Sequence, residues 1–190
     1  MNAPDPAAQR GLDDPTTSVL HMLALRGSAP DVGEDADALV DRGLVVRTKA
    51  GWMLTPDGHA RHDEQLAAER GTLDREALKP IYERFLAANT PLKALSSRWQ
   101  TAGEDERFAL LADLADIVER VDPVLRRTAA ILPRFAAYRP RLSEALGRAE
   151  DGDLDYVVSP RVDSVHTIWM ECHEDYLQTQ GISREEEGSY

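Results

Sequence analysis

Cysteine is almost missing from this chain: Cys172 is the only one in 190 residues. A single thiol excludes an intramolecular disulfide and any zinc cage built on paired cysteines, and it suits a reducing compartment. Long apolar runs are missing too. None approaches the roughly 20 residues that a membrane-spanning helix needs, so no membrane partner is expected. The opening stretch, Met1-Asn2-Ala3-Pro4-Asp5-Pro6, has no apolar core and does not read as a secretory leader. The expected location is cytoplasmic. Basic residues are scarce: 22 Lys and Arg stand against 34 Asp and Glu, for a formal net charge of −12 and an isoelectric point near 4.8. Such a field repels phosphate at long range, which argues against nonspecific nucleic-acid or anionic-membrane binding and leaves room only for a local basic patch. The common catalytic signatures are absent as well. There is no phosphate-cradling Gly-rich loop, no His-Glu-x-x-His, no Gly-x-Ser-x-Gly elbow and no paired-cysteine metal spacing. His173-Glu174 lacks a second histidine four positions on. The sequence names no reaction, no metal and no cofactor.

What is present is a hydrophobic share of 42%, enough for a packed core. Residues 1–15 hold three prolines and small or acidic side chains, and read as a disordered arm. Thr16 or Thr17 can cap a helix through Arg26, which Gly27-Ser28-Ala29-Pro30 ends. The most informative stretch is residues 36–61. Leu39 and Val40 close a short helix, and Gly43 supplies a left-handed turn. Strands follow near 44–48 and 52–55, separated by Lys49-Ala50-Gly51. Thr55 can then cap a helix whose first residue is Pro56, where the missing N–H costs nothing. Helix, hairpin and capped helix come in the order of a winged helix.

The residues Leu39-Val40-Asp41-Arg42-Gly43-Leu44-Val45 and Leu54-Thr55-Pro56-Asp57-Gly58 resemble the closing half of a MarR-type winged helix-turn-helix. The resemblance covers residues 16–70 and implies a transcriptional regulator. In that reading Arg42, Arg47, Lys49 and Arg61 are the DNA-binding candidates, with Arg47 and Lys49 on the wing. Such a domain needs two helices before its hairpin, and only Asp31 to Arg42 is available for both. Asp31, Glu34, Asp35 and Asp37 stand at the leading edge of the helix that should enter the major groove. Residues 1–60 carry five basic and nine acidic side chains, a net of −4, where a DNA-binding module is expected to be basic.

Residues 72–182 read as an irregular helical bundle. Leu78, Ile81, Tyr82, Phe85 and Leu86 recur at helical spacing with Asn89 on the same stripe, and Pro91 is expected to kink or break that helix. Thr101-Ala102-Gly103-Glu104 resembles a capping box, and Asp122-Pro123 reads as a cap with a first turn. Ser159-Pro160 is expected to cap the last helix, which reaches about Gln180, and residues 183–190 form an acidic, frayed tail. On that last helix Val162, His166, Trp169, His173 and Tyr176 fall on one face. With Tyr82, Asn89 and Trp99, the residues His166, Trp169 and His173 are the candidates for a ligand pocket between bundle helices. The bland alternative is that these polar groups satisfy each other inside an ordinary core. Phe85-Leu86-Ala87-Ala88-Asn89, Trp99-Gln100 and His173-Glu174-Asp175 also resemble small actinobacterial-type proteins of undefined role, which implies no activity.

The expected fold class is mainly α: a small winged-helix-like module with one β-hairpin, followed by an irregular helical bundle. Two functional readings lead, with an enzyme kept as a third because a polar pocket between helices could do acid–base work with His166 or His173. One is a regulator that binds duplex DNA and uses the bundle for homo-oligomerisation and a small-molecule effector. The other is an adaptor or ligand-binding protein whose winged helix contacts a protein partner. The segment from Asp31 to Arg42 divides them: two helices favour the regulator, one short helix the adaptor.

Overall fold

The computed structural model describes residues 15–34 and 36–188, which divide into two compact units. The first takes in the described part of Met1–Leu73 together with Leu177–Tyr190, and the second is Asp74–Tyr176. The arm expected over residues 1–15 lies outside the described residues, apart from Pro15, which opens the first helix.

In the first unit, α1 (Pro15–Arg26) buries Leu20 and Leu23 and stops at Gly27, whose N–H reaches the Leu23 carbonyl at 2.8 Å. Ala29 then exchanges two backbone hydrogen bonds with Trp52, of 2.7 and 3.0 Å, as a one-residue third strand. A single short helix follows, α2 (Ala36–Asp41). It ends at Gly43, in the left-handed region at φ 70°, with the Leu44 N–H turned back to the Leu39 carbonyl. Strands β1 (Val45–Thr48) and β2 (Gly51–Leu54) pair antiparallel, with Val45 opposite Leu54 and Thr48 opposite Gly51. They form the one sheet among the described residues.

Thr55 joins hairpin to helix. Its hydroxyl accepts the Gly58 N–H at 3.0 Å and donates to the Gly43 carbonyl at 2.6 Å, so one side chain caps α3 (Pro56–Thr72) and ties it to the turn before β1. At Gly58 any Cβ would collide with the Leu44 carbonyl, so glycine sets how closely α3 approaches the hairpin. Leu20, Leu23, Val32, Leu39, Leu44, Trp52 and Leu54 form the core. Beside it, His21 Nδ1 and His62 Nε2 meet at 2.9 Å, a bond that requires one ring to donate and the other to accept. The tail expected to be acidic and frayed carries a short helix. Ser183 and Glu186 close a capping box over α9 (Arg184–Glu187), and only residues 189–190 lie outside the described part.

All regular secondary structure in the second unit is helical. Asp74 caps α4 (Arg75–Trp99), accepting the Ala77 N–H at 3.0 Å. Neither Pro91 nor Pro123 ends a helix: α4 runs on through Pro80 and Pro91, and α5 (Glu104–Ile131) through Pro123. An interior proline costs about 3 kcal/mol of helix stability. Here that cost is outweighed by unbroken buried stripes, Leu78 to Trp99 on α4 and Leu110 to Thr128 on α5. Asp122 caps nothing and instead binds Arg126 and Arg139, each at 2.7 Å. The Thr101 capping box does not form either: Gly103 is the N-cap of α5, and the Thr101 hydroxyl turns back to the Arg98 carbonyl. A 3-10 turn (Pro133–Ala137) leads to α6 (Tyr138–Glu150), α7 (Asp155–Val158) and α8 (Val165–Gln180), whose residues from Leu177 on belong to the first unit. The start of α8 falls five residues after the expected Pro160, because Ser164 accepts the Thr167 N–H while Ser159 takes that of Arg161. Ile168, Trp169, Glu171, Cys172, His173, Asp175 and Tyr176 are all buried, so α8 is enclosed on almost every side.

Candidate functional site

The surface that should meet DNA is built from α2 and the hairpin. Arg42, Arg47 and Lys49 are exposed, and the Arg47 guanidinium lies 5.4 Å from the centre of the Trp52 ring. Arg61 is half-buried on α3 and pairs with Glu64 at 3.1 Å. The structure thus leaves three of the four candidate cations outward and commits Arg61 to a carboxylate. Between the Ala29 bridge and β1 the only helix among the described residues is α2, six residues or about 9 Å long. Where a preceding helix would stand, Asp31 accepts the Gly33 N–H at 3.0 Å in a side-chain turn. Asp31, Glu34, Asp37 and Asp41 are exposed around α2, while Asp35 lies outside the described residues. Two large apolar side chains are also open to solvent here, Val40 at 44% and Val46 at 45%.

The interior candidates lie in the second unit. Trp169 donates its indole N–H to the Asn89 side-chain oxygen at 3.0 Å. The Tyr82 hydroxyl stands 3.5 Å from His173 Nε2, at the outer limit for a hydrogen bond. Phe85 sits among them, with ring centres 5.0 Å to Trp169, 5.7 Å to His173 and 4.8 Å to Tyr176. Tyr82, Asn89, Trp169 and His173 therefore share one neighbourhood. Trp99 does not join it. It is ten residues beyond Asn89, about 15 Å along the same helix, with the Arg107 guanidinium over its ring. His166 is only half-buried, and burial holds its imidazole below the ordinary 6.5. Three cavities of about 460, 410 and 320 Å³ lie elsewhere in this unit, and none of the six candidates lines them.

Sequence reasoning missed the buried charges of α8. Asp175 takes Arg134 at 2.9 Å through one nitrogen and 3.1 Å through another, and also the Tyr138 hydroxyl at 2.9 Å. Glu171 receives a two-pronged Arg141, at 2.8 and 2.9 Å, and Arg141 also reaches Asp163. Thr128 and Tyr176 share a short hydroxyl contact. Burial, aided by the Asp175 carboxylate, pushes the Tyr138 phenol well above its usual range, and burial likewise raises the Cys172 thiol. Both groups stay protonated and inert at neutral pH. The available signal was Glu171 and Asp175 one turn apart beside the Trp169–Tyr176 face, a spacing that solvated helices show as often. As chemistry, the cluster locks a core: each buried charge is answered by the opposite one, and no nucleophile is activated.

Among the described residues, no group of three or more His, Cys, Asp or Glu side chains could hold a metal ion, and no helix is long and apolar enough to cross a membrane. No protein-family model matches the chain, and neither a curated protein nor a solved structure is significantly similar to it.

Proposed function

We propose that this chain is an adaptor or binding protein whose winged-helix-like unit meets another protein and does not read DNA. The observation that carries the reading is the single six-residue helix between the Ala29 bridge and β1. A DNA-reading helix-turn-helix lays one helix in the major groove and braces it with another that crosses the backbone. Here the bracing helix is replaced by the Asp31 turn, and the remaining helix is ringed by exposed carboxylates that repel phosphate. A protein partner has something to cover on the same elements, because Val40 and Val46 are half-exposed beside charges of both signs.

A photo-crosslinking side chain at Val40 tests this in cells. The expected result is a discrete protein adduct, with a second copy of the chain counted as such a partner, and loss of the adduct in Val46→Asp. Adducts to nucleic acid alone would overturn it.

The regulator reading keeps one favouring observation: Arg42, Arg47 and Lys49 face outward around the hairpin. In that case the hairpin would supply phosphate contacts and the bundle would dimerise and take an effector. Replacing Arg47 and Lys49 by Ala would then weaken binding to every duplex alike and flatten its salt dependence.

A further inference from the structure

The largest of the three cavities is a groove between α4 and α5, about 460 Å³ in volume, within the range of small-molecule sites. Its apolar lining includes Ile81, Ile117 and Val124, with the rings of Pro91 and Pro123 contributed from the two helices. Its polar lining is Arg84, Arg120 and Arg127, and no Asp or Glu lines it. That is the opposite sign to a chain of net charge −12.

The sorting of charge follows from helix geometry. On α5 the residues Ile117, Arg120, Val124 and Arg127 recur at three, four and three, so they share one face. The acids Glu119 and Asp122 line the separate cavity between α5 and α6, where Asp122 is held by Arg126 and Arg139. Asp122, which neutralises two arginines, is thus turned away from this groove. Among the described residues, none of Arg84, Arg120 and Arg127 has a carboxylate at ion-pair distance. Arg120 donates only to the backbone carbonyl of Asp116, at 3.0 Å. Three guanidiniums gathered on an apolar trough supply the forked donors that a carboxylate or similar oxyanion takes, beside a surface for its hydrocarbon.

We propose that this groove binds a small amphipathic organic anion, its oxyanion head on Arg84, Arg120 and Arg127 and its apolar body along Ile81, Ile117 and Val124. The head supplies specificity by charge, and the body supplies affinity by leaving water.

The test is calorimetric titration of the full chain with decanoate, below its micelle concentration. Decyltrimethylammonium and inorganic phosphate serve as comparison probes. Decanoate binds one per chain, and both probes bind at least tenfold more weakly. The double variant Arg120→Gln with Arg127→Gln loses at least tenfold in decanoate affinity. Arg126→Gln, one residue away and engaged with Asp122, keeps it. Because Arg120 and Arg127 are exposed, the double variant keeps its helical circular dichroism. Equal binding of the cationic probe would show a merely greasy surface, and equal binding of phosphate a plain anion site. An acidic amphipathic peptide that displaces decanoate with far tighter affinity would reassign the groove to a protein partner. Any of these, or no saturable decanoate binding, overturns the proposal.

Discussion

Asp175 shows what a single residue can hide. Its side chain is 1% exposed and is answered by Arg134 and Tyr138. Arg134→Leu leaves that carboxylate buried without its cation, and urea denaturation is expected to show a loss of about 3–5 kcal/mol. Arg134→Leu combined with Asp175→Asn should recover part of it, since no unpaired charge then remains buried at that site. His166 gives a second residue-scale expectation. Burial lowers its folded pKa below 6.5, so the unfolded chain takes up the proton first. Its contribution is therefore intact above about pH 6.5 and is lost as the pH falls below that, through the folded value. The stability gap between about pH 7.5 and pH 5.5 should be smaller in His166→Gln than in the native chain. Asn89 was legible as a buried polar residue because it sits on an apolar stripe of α4. Trp169 was a candidate for the same pocket, but its hydrogen bond to Asn89 was not legible, since no periodicity says which helices face each other. Asp175 was read past for a related reason: α8 is buried nearly all round, and a one-faced pattern cannot identify the polar positions of an enclosed helix.

Local signals decided some elements and lost at others. The hairpin and the Thr55–Pro56 start of α3 follow from turn and cap chemistry that acts within a few residues, and they stand within a residue of where the sequence puts them. Pro91 and Asp122-Pro123 are equally local signals, yet the helices pass through them because the buried stripes on either side stay in phase. Glycines on α3 separate the same two influences. Gly58→Ala drives a Cβ into the Leu44 carbonyl and should cost about 3 kcal/mol in thermal or urea unfolding. Gly71→Ala, on the same helix with open space around it, should be neutral or stabilise by up to about 1 kcal/mol. Equal effects at the two positions would mean that α3 does not rest on the hairpin as described.

At the scale of the whole chain, the break near residues 71–73 was legible as a change from a polar helix to an amphipathic one. The assignment of Leu177–Tyr190 to the first unit was not, because it depends on long-range contacts such as Arg70 donating to the Gln178 carbonyl at 3.0 Å. The functional division turned on one length, residues 31–42, and only folding shows how much helix that length makes. The adaptor reading is tested most directly by fluorescence anisotropy of labelled duplexes at low salt, including the upstream region of the protein's own gene and random fragments. At low salt electrostatic attraction is strongest, so a silent result is informative there. No saturable binding to any duplex is expected, and no difference between the native chain and Arg42→Ala combined with Lys49→Ala. Saturable binding to one duplex over the others, lost in that double variant, would contradict it.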